Sequence, residues 1–141
     1  MQPNHNDAAM VPVNLGKLMK KLHSFADPVL EKYGLSRIHV HYLVFLHGCH
    51  QNLNAKELSD HLGVDKANTS RALNELLKRN LVLRTTDESK QQILELSKEG
   101  AIIAQELKET NKMEMDKLLS VLTTEERITL REILRKISQT L

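Results

Sequence analysis

The sequence predicts a mainly α-helical fold carrying one small β-hairpin, on three observations. Apolar residues recur at intervals of three and four along most of the chain, the spacing that lines one side of a helix. Gly (5) and Pro (3) are scarce among 141 residues, which favours helices over a Gly-rich sandwich or barrel. Only between Leu81 and Leu96 does the period change, to that of two short strands. The length fits one compact domain, or one with long helical extensions, and leaves no room for two enzymatic domains.

Residues 1–12 have no period and contain Pro3, Asn4, His5, Asn6 and Asp7, so a frayed tail is expected there. Leu15, Leu18, Leu22, Phe25, Val29 and Tyr33 then form one stripe of a helix within 13–35, with Gly34 as its stop and Pro28 as a point of bending or splitting. Ser36 can cap a second helix whose apolar stripe is Ile38, Tyr42, Phe45, Leu46 and Cys49. Asn54 and Glu57 have the spacing of a capping box, opening a short helix with Ala55, Leu58 and Leu62 that Gly63 breaks. Asp65 can cap the next helix, from Lys66 to about Arg79. There Thr69, Leu73, Leu76 and Leu77 share one side, and Arg71, Asn74, Glu75 and Lys78 fall on or near the other.

Leu81 to Thr86 and Gln91 to Leu96 read as strands joined by Asp87, Glu88, Ser89 and Lys90, hence a hairpin. Ser97 can cap a long helix with Ile102, Ile103, Leu107, Met115, Leu118, Leu119 and Leu122 on its apolar side, interrupted by Asn111. Thr123 and Glu126 form a further capping box, opening a last helix through Ile133, Leu134 and Ile137.

Two short helices separated by Gly63 and followed by a polar hairpin make a winged helix-turn-helix, which presents its second helix to the major groove of double-stranded DNA. On that helix Arg71 can meet a guanine edge or a phosphate, Asn68 and Asn74 an adenine or the backbone, and Ser70 a phosphate. Lys66 in the first turn can meet the DNA backbone together with the free N–H groups of the helix start, and Lys78 extends the polar side. In the wing, Arg84 and Lys90 can approach the minor groove or its flanking phosphates, while Asp87 and Glu88 serve the turn or orient those cations. With 20 basic and 18 acidic side chains the net charge is only +2, so such contacts must come from local arrangement.

The long terminal helices would expose apolar stripes in a monomer, so residues 13–35 and 98–141 are expected to dimerise around a DNA-binding region at 36–97. A two-fold dimer presents two reading helices to half-sites one turn apart, about 34–36 Å, on an inverted-repeat operator. A ligand lodged between the dimer helices and the reading regions would shift that separation toward the arrangement it binds better.

The chain resembles the MarR family of transcription regulators from its first long helix to its last. The likeness is carried by Leu53-Asn54-Ala55-Lys56-Glu57-Leu58-Ser59-Asp60-His61-Leu62-Gly63-Val64, by Thr69-Ser70-Arg71-Ala72-Leu73-Asn74-Glu75-Leu76 and by Leu94-Glu95-Leu96-Ser97-Lys98-Glu99-Gly100. The resemblance implies a homodimeric winged-helix repressor released by a small aromatic or phenolic compound, an oxidant or a metal. The family wing generally carries an Asp-x-Arg pattern. Counting back from Gly100, the matching positions are Glu88, Ser89 and Lys90, so the charge types survive and the arginine fork does not.

Other chemistries are weaker. His39, His41, His47 and His50 surround Cys49, a set of imidazoles and a thiol that suits zinc or another borderline metal. His47 and His50 share a helical face, whereas His39 and His41 diverge and Cys49 lies on the stripe with Phe45 and Tyr42. Cys49 is therefore expected to be a buried small hydrophobe rather than an oxidant sensor. A zinc- or redox-responsive regulator of the same fold, and a winged-helix adaptor that does not read DNA, remain as alternatives. No Gly-rich phosphate loop, serine elbow or His-Glu-x-x-His run is present, so no enzyme and no resident cofactor are expected. One cysteine allows no internal disulfide, residues 1–9 are polar, and the longest apolar run is Tyr42 to Leu46. A cytoplasmic protein without membrane contact is expected.

Overall fold

A computed structural model describes residues 7–49 and 53–141. In chain order its elements are α1 (Asp7–Ser24), α2 (Asp27–Tyr33), α3 (Arg37–Gly48), α4 (Ala55–Leu62), α5 (Lys66–Lys78), β1 (Val82–Thr86), β2 (Gln92–Leu96), α6 (Lys98–Leu118), a 3-10 turn (Leu119–Val121) and α7 (Thr124–Ser138). Among the described residues no helix is long and apolar enough to cross a membrane.

The helix starts follow from side-chain caps. Asn54 Oδ1 accepts from Glu57 N at 2.8 Å while Glu57 Oε2 accepts from Asn54 N at 3.2 Å, and Thr123 and Glu126 repeat the exchange at the start of α7. One expectation needs correction at the N-terminus. The aperiodic tail does not reach residue 12: α1 already begins at Asp7, with Pro12 inside it. Pro12 forfeits one backbone hydrogen bond there, and the residue types ahead of it, Ala8, Ala9 and Met10, are good helix formers. Residues 1–6 lie outside the described residues. Of the two readings of Pro28, bending or splitting, the structure has the split: Pro28 sits in the first turn of α2, where its missing N–H has no partner to lose.

The core joins α3 to α6 and carries α4, α5 and the hairpin on its other side. Tyr42, Leu43, Leu58, Leu76 and Val82 are completely buried, with Ile103, Ala104 and Leu107 of α6 packed among the same cluster. One face of the first half of α6 thus belongs to the protomer's own core, while Ile102 on another stands exposed. At its start, Gly100 lies so close to the backbone of Leu81 that a Cβ there would overlap the Leu81 carbonyl oxygen. Ser97 closes the same joint, its N–H donating to Leu81 O at 3.0 Å. By contrast α7 contains no buried residue, and Met10, Val11, Val13 and Leu15 of α1 stand exposed with Ile133, Leu134 and Ile137 of α7.

β1 and β2 pair antiparallel, Val82 opposite Leu96 and Thr86 opposite Gln92. Leu53, just ahead of the α4 cap, adds an isolated bridge to Leu94, whose N–H donates to Leu53 O at 2.9 Å. This ties the base of the hairpin to the helix pair.

Candidate nucleic-acid interface

The turn between α4 and α5 is built by Gly63, which takes φ 64°, a left-handed conformation that glycine adopts at little cost. Ser59 Oγ then donates to Val64 O at 2.7 Å, and Asp65 Oδ1 caps α5 by accepting from Asn68 N at 2.8 Å. One face of α5 is sunk in the core through Thr69, Ala72, Leu73 and Leu76, with Thr69 Oγ1 3.1 Å from the buried Tyr42 hydroxyl. The opposite face exposes Lys66, Ser70, Arg71, Asn74 and Lys78, while Asn68 is half-buried. These are the side chains expected to meet DNA, and they stand together on one ridge. Asn80, at φ 56°, ends the helix, and Leu81 N donates back to Leu76 O.

Arg79, at the same end, donates to the backbone oxygens of Tyr33 and Gly34. That link passed unnoticed in the sequence, because its acceptors are main-chain groups more than forty residues away. The other end of α2 is held by a bidentate pair in which Arg37 Nε and Nη2 meet Asp27 at 3.0 and 2.8 Å. The guanidinium holds the Asp27 carboxyl below its usual range. The hydroxyl of Tyr33 and the ammonium of Lys32 both reach Glu106 of α6, at 2.6 and 2.9 Å, and lower its pKa in that order. This seven-residue helix therefore touches α3, α5 and α6 through polar contacts.

At the wing tip Asp87 Oδ1 accepts from Gln91 N and from Ser89 Oγ, each at 2.8 Å, and those bonds lower the Asp87 pKa. Asp87 thus serves the turn. Lys90 takes φ 65° beside it, and both Arg84 and Lys90 are exposed.

Among the described residues the histidines do not assemble into a metal site. His39 is buried, its Nδ1 accepting from Ser36 N at 3.1 Å, so that Nε2 carries the proton donated to Glu75 Oε2 at 2.8 Å. With both nitrogens engaged, His39 leaves the metal-ligand set. His41 is exposed on another face, Cys49 is half-buried rather than fully sunk in the core, and His50 lies outside the described residues. Among the described residues no three His, Cys, Asp or Glu side chains group to hold a metal ion.

A cavity of about 550 Å³ opens between α1, α3 and α6. Met19, Leu22, Val40, Val44, Phe45 and Met115 give it apolar walls, and His23, Arg37, His41, Lys108 and Asn111 supply its polar groups. Among the described residues no acidic side chain lines it. Arg37 and Lys108 were not singled out in the sequence, although Arg37 stands one helical turn before His41.

A capped helix pair with a left-handed turn, an outward polar second helix and a tied hairpin define a winged helix-turn-helix. The sequence profile of the MarR family matches residues 33–93, the segment that holds this unit. Over that segment the chain is similar to the MarR family. Solved structures extend the likeness across both ends. A MarR family protein from Bacillus stearothermophilus superposes with a TM-score of 0.80 at 22% identity, covering 99% of this chain and 98% of its own. A complex of MepR from S. aureus with DNA gives 0.79 at 20% identity over 92% and 97%. The YusO protein from Bacillus subtilis gives 0.66 at 25% identity over 99% and 100%. No curated protein matches the chain.

Proposed function

We propose that this protein is a homodimeric, sequence-specific DNA-binding regulator, a repressor that holds an inverted-repeat operator until a small ligand releases it. The single observation that carries the reading is the ridge of Lys66, Ser70, Arg71, Asn74 and Lys78 on a helix whose other face is locked into the core. Side chains discriminate base edges only from a rigid support, and cations on that ridge can meet phosphates on either side. Likeness to a structure described as a DNA complex supports the same reading. The exposed apolar faces of α1 and α7 favour a two-fold partner over a lone protomer.

The cavity suits a small aromatic or phenolic compound bearing a negative charge, because its walls are apolar and its charged groups are basic. Arg37 faces the cavity and also anchors α2, whose last residues hold the end of α5 through Arg79. An anion that draws on Arg37 competes with Asp27 and so acts on the attachment of the reading helix.

Titration of the full chain against a duplex that it selects from a randomised pool tests the reading. Tight binding that weakens with salt and greatly exceeds binding to a scrambled duplex supports a regulator. Equal, negligible affinity for both duplexes refutes it and favours a winged-helix adaptor.

A further inference from the structure

Arg71 does not stand alone on its ridge. Its Nη2 donates to Asn68 Oδ1 at 2.6 Å, and Asn68 Nδ2 donates in turn to Asp65 Oδ2, also at 2.6 Å. Asp65 Oδ1 is separately occupied by the backbone N–H of Asn68, the bond that caps α5. The orientation of an amide is ordinarily an assignment rather than an observation. Here the two ends of the relay decide it: a carboxylate only accepts and a guanidinium only donates, so one amide orientation alone satisfies both. Burial agrees with a supporting role, since Asn68 is half-buried while Asp65 and Arg71 are exposed.

We infer that Asn68 is a positioning residue, which takes its orientation from Asp65 and fixes the guanidinium of Arg71 for a base edge, rather than reading a base itself. The inference rests on the reading of α5 as the major-groove helix. A bidentate arginine contact with guanine needs two N–H groups held in one plane. Nη2 bears two hydrogens, so the one given to Asn68 leaves the other for a fork with Nη1 or with Nε. An unsupported arginine must lose its rotamer freedom on binding, whereas one already held loses less. The amide of Asn68, committed along the helix in both directions, is turned away from the bidentate adenine contact that a free asparagine can make. The relay also explains a capping residue with two oxygens: Asp65 uses one for the helix and the other for specificity.

A double-mutant cycle with Asn68→Ala and Arg71→Ala tests this on the full chain, using the selected duplex and the scrambled one. Asn68→Ala leaves the Asp65 cap intact, because that bond uses the backbone N–H. Its expected effect is a loss of about 3- to 10-fold on the selected duplex, the cost of ordering one long side chain. Affinity for the scrambled duplex and the salt slope should stay unchanged, and no further loss should appear in the Arg71→Ala background. Should the alanine lower the melting temperature, Asn68→Ser, too short to span both partners, repeats the measurement with a helix-compatible side chain. Additive losses would overturn the inference, since Asn68 would then touch DNA on its own account. An Arg71→Ala protein that binds the selected duplex like wild type would instead bring down the reading of α5, and the relay with it.

Discussion

The reading unit and the terminal helices are built to opposite specifications. The inner face of α5 is satisfied within the protomer: Leu58, Leu73, Leu76 and Tyr42 are buried, and the Tyr42 hydroxyl is bonded to Thr69. Along α7 no side chain is buried, and Ile137 is 54% exposed despite lying on an apolar stripe. The first arrangement is complete in one chain, and the second leaves an apolar stripe uncovered. The proposed dimer accounts for this division, since its two heads would fold identically while their spacing would be set by the joint between copies.

Substitutions should separate the two regions by size of effect and by dependence on concentration. Leu76→Ala, in the completed core, is expected to cost about 2–5 kcal/mol in a denaturant titration, with no dependence on protein concentration beyond that of the wild type. Ile133→Ala, on α7, should cost about 1–2 kcal/mol if the face is covered by a partner, and its melting temperature should rise with concentration. A loss within about 0.5 kcal/mol, as for an ordinary surface site, would break the contrast by leaving that stripe in water. Ile133→Glu together with Ile137→Glu should give a monomer by ultracentrifugation while α5 keeps its slow amide exchange; a persistent dimer would move the interface elsewhere.

Two smaller effects sharpen the picture of the wing. If Lys90 touches a phosphate, Lys90→Ala should reduce the slope of log affinity against log salt by about 0.9, whereas an unaltered slope places it off the backbone. Asp87 has a folded pKa below its unfolded value, so its bonds to Gln91 and Ser89 contribute fully above the ordinary carboxylate range. That contribution disappears as pH falls through the lowered value. Asp87→Ala should therefore flatten the acid limb of wing amide protection, and an unchanged limb would assign the pH response to another carboxylate.

Much of this contrast was legible in the sequence because its signals are local. Asn54 with Glu57, Asp65 ahead of α5 and Thr123 with Glu126 each announce a helix within four residues, and the structure keeps all three caps. The exposed ridge of α5 followed from the same periodicity. What escaped was assembled across distance. The cavity is walled by faces of three helices, with Arg37, Val40, His41, Val44 and Phe45 on α3, and no spacing along one helix reports that the others close over it. Arg79 finds carbonyl oxygens of α2, a partner that no side-chain pattern encodes. His39 read as a possible ligand because its residue type was visible, while the Ser36 N–H and Glu75 that occupy it were not. Leu53 gave no sign of pairing with Leu94, since one residue makes no strand period.

The missing side chain at Gly100 has a mechanical result. Backbone meets backbone there, with Ser97 bonded across the seam, so hairpin and long helix are welded rather than hinged. The 21 residues of α6 make an arm of roughly 30 Å, fixed at one end to the wing. Because Ile103, Ala104 and Leu107 clamp the first half of that arm in the core, a force near Met115 is expected to reach the hairpin as strain on the joint rather than be absorbed in a loop.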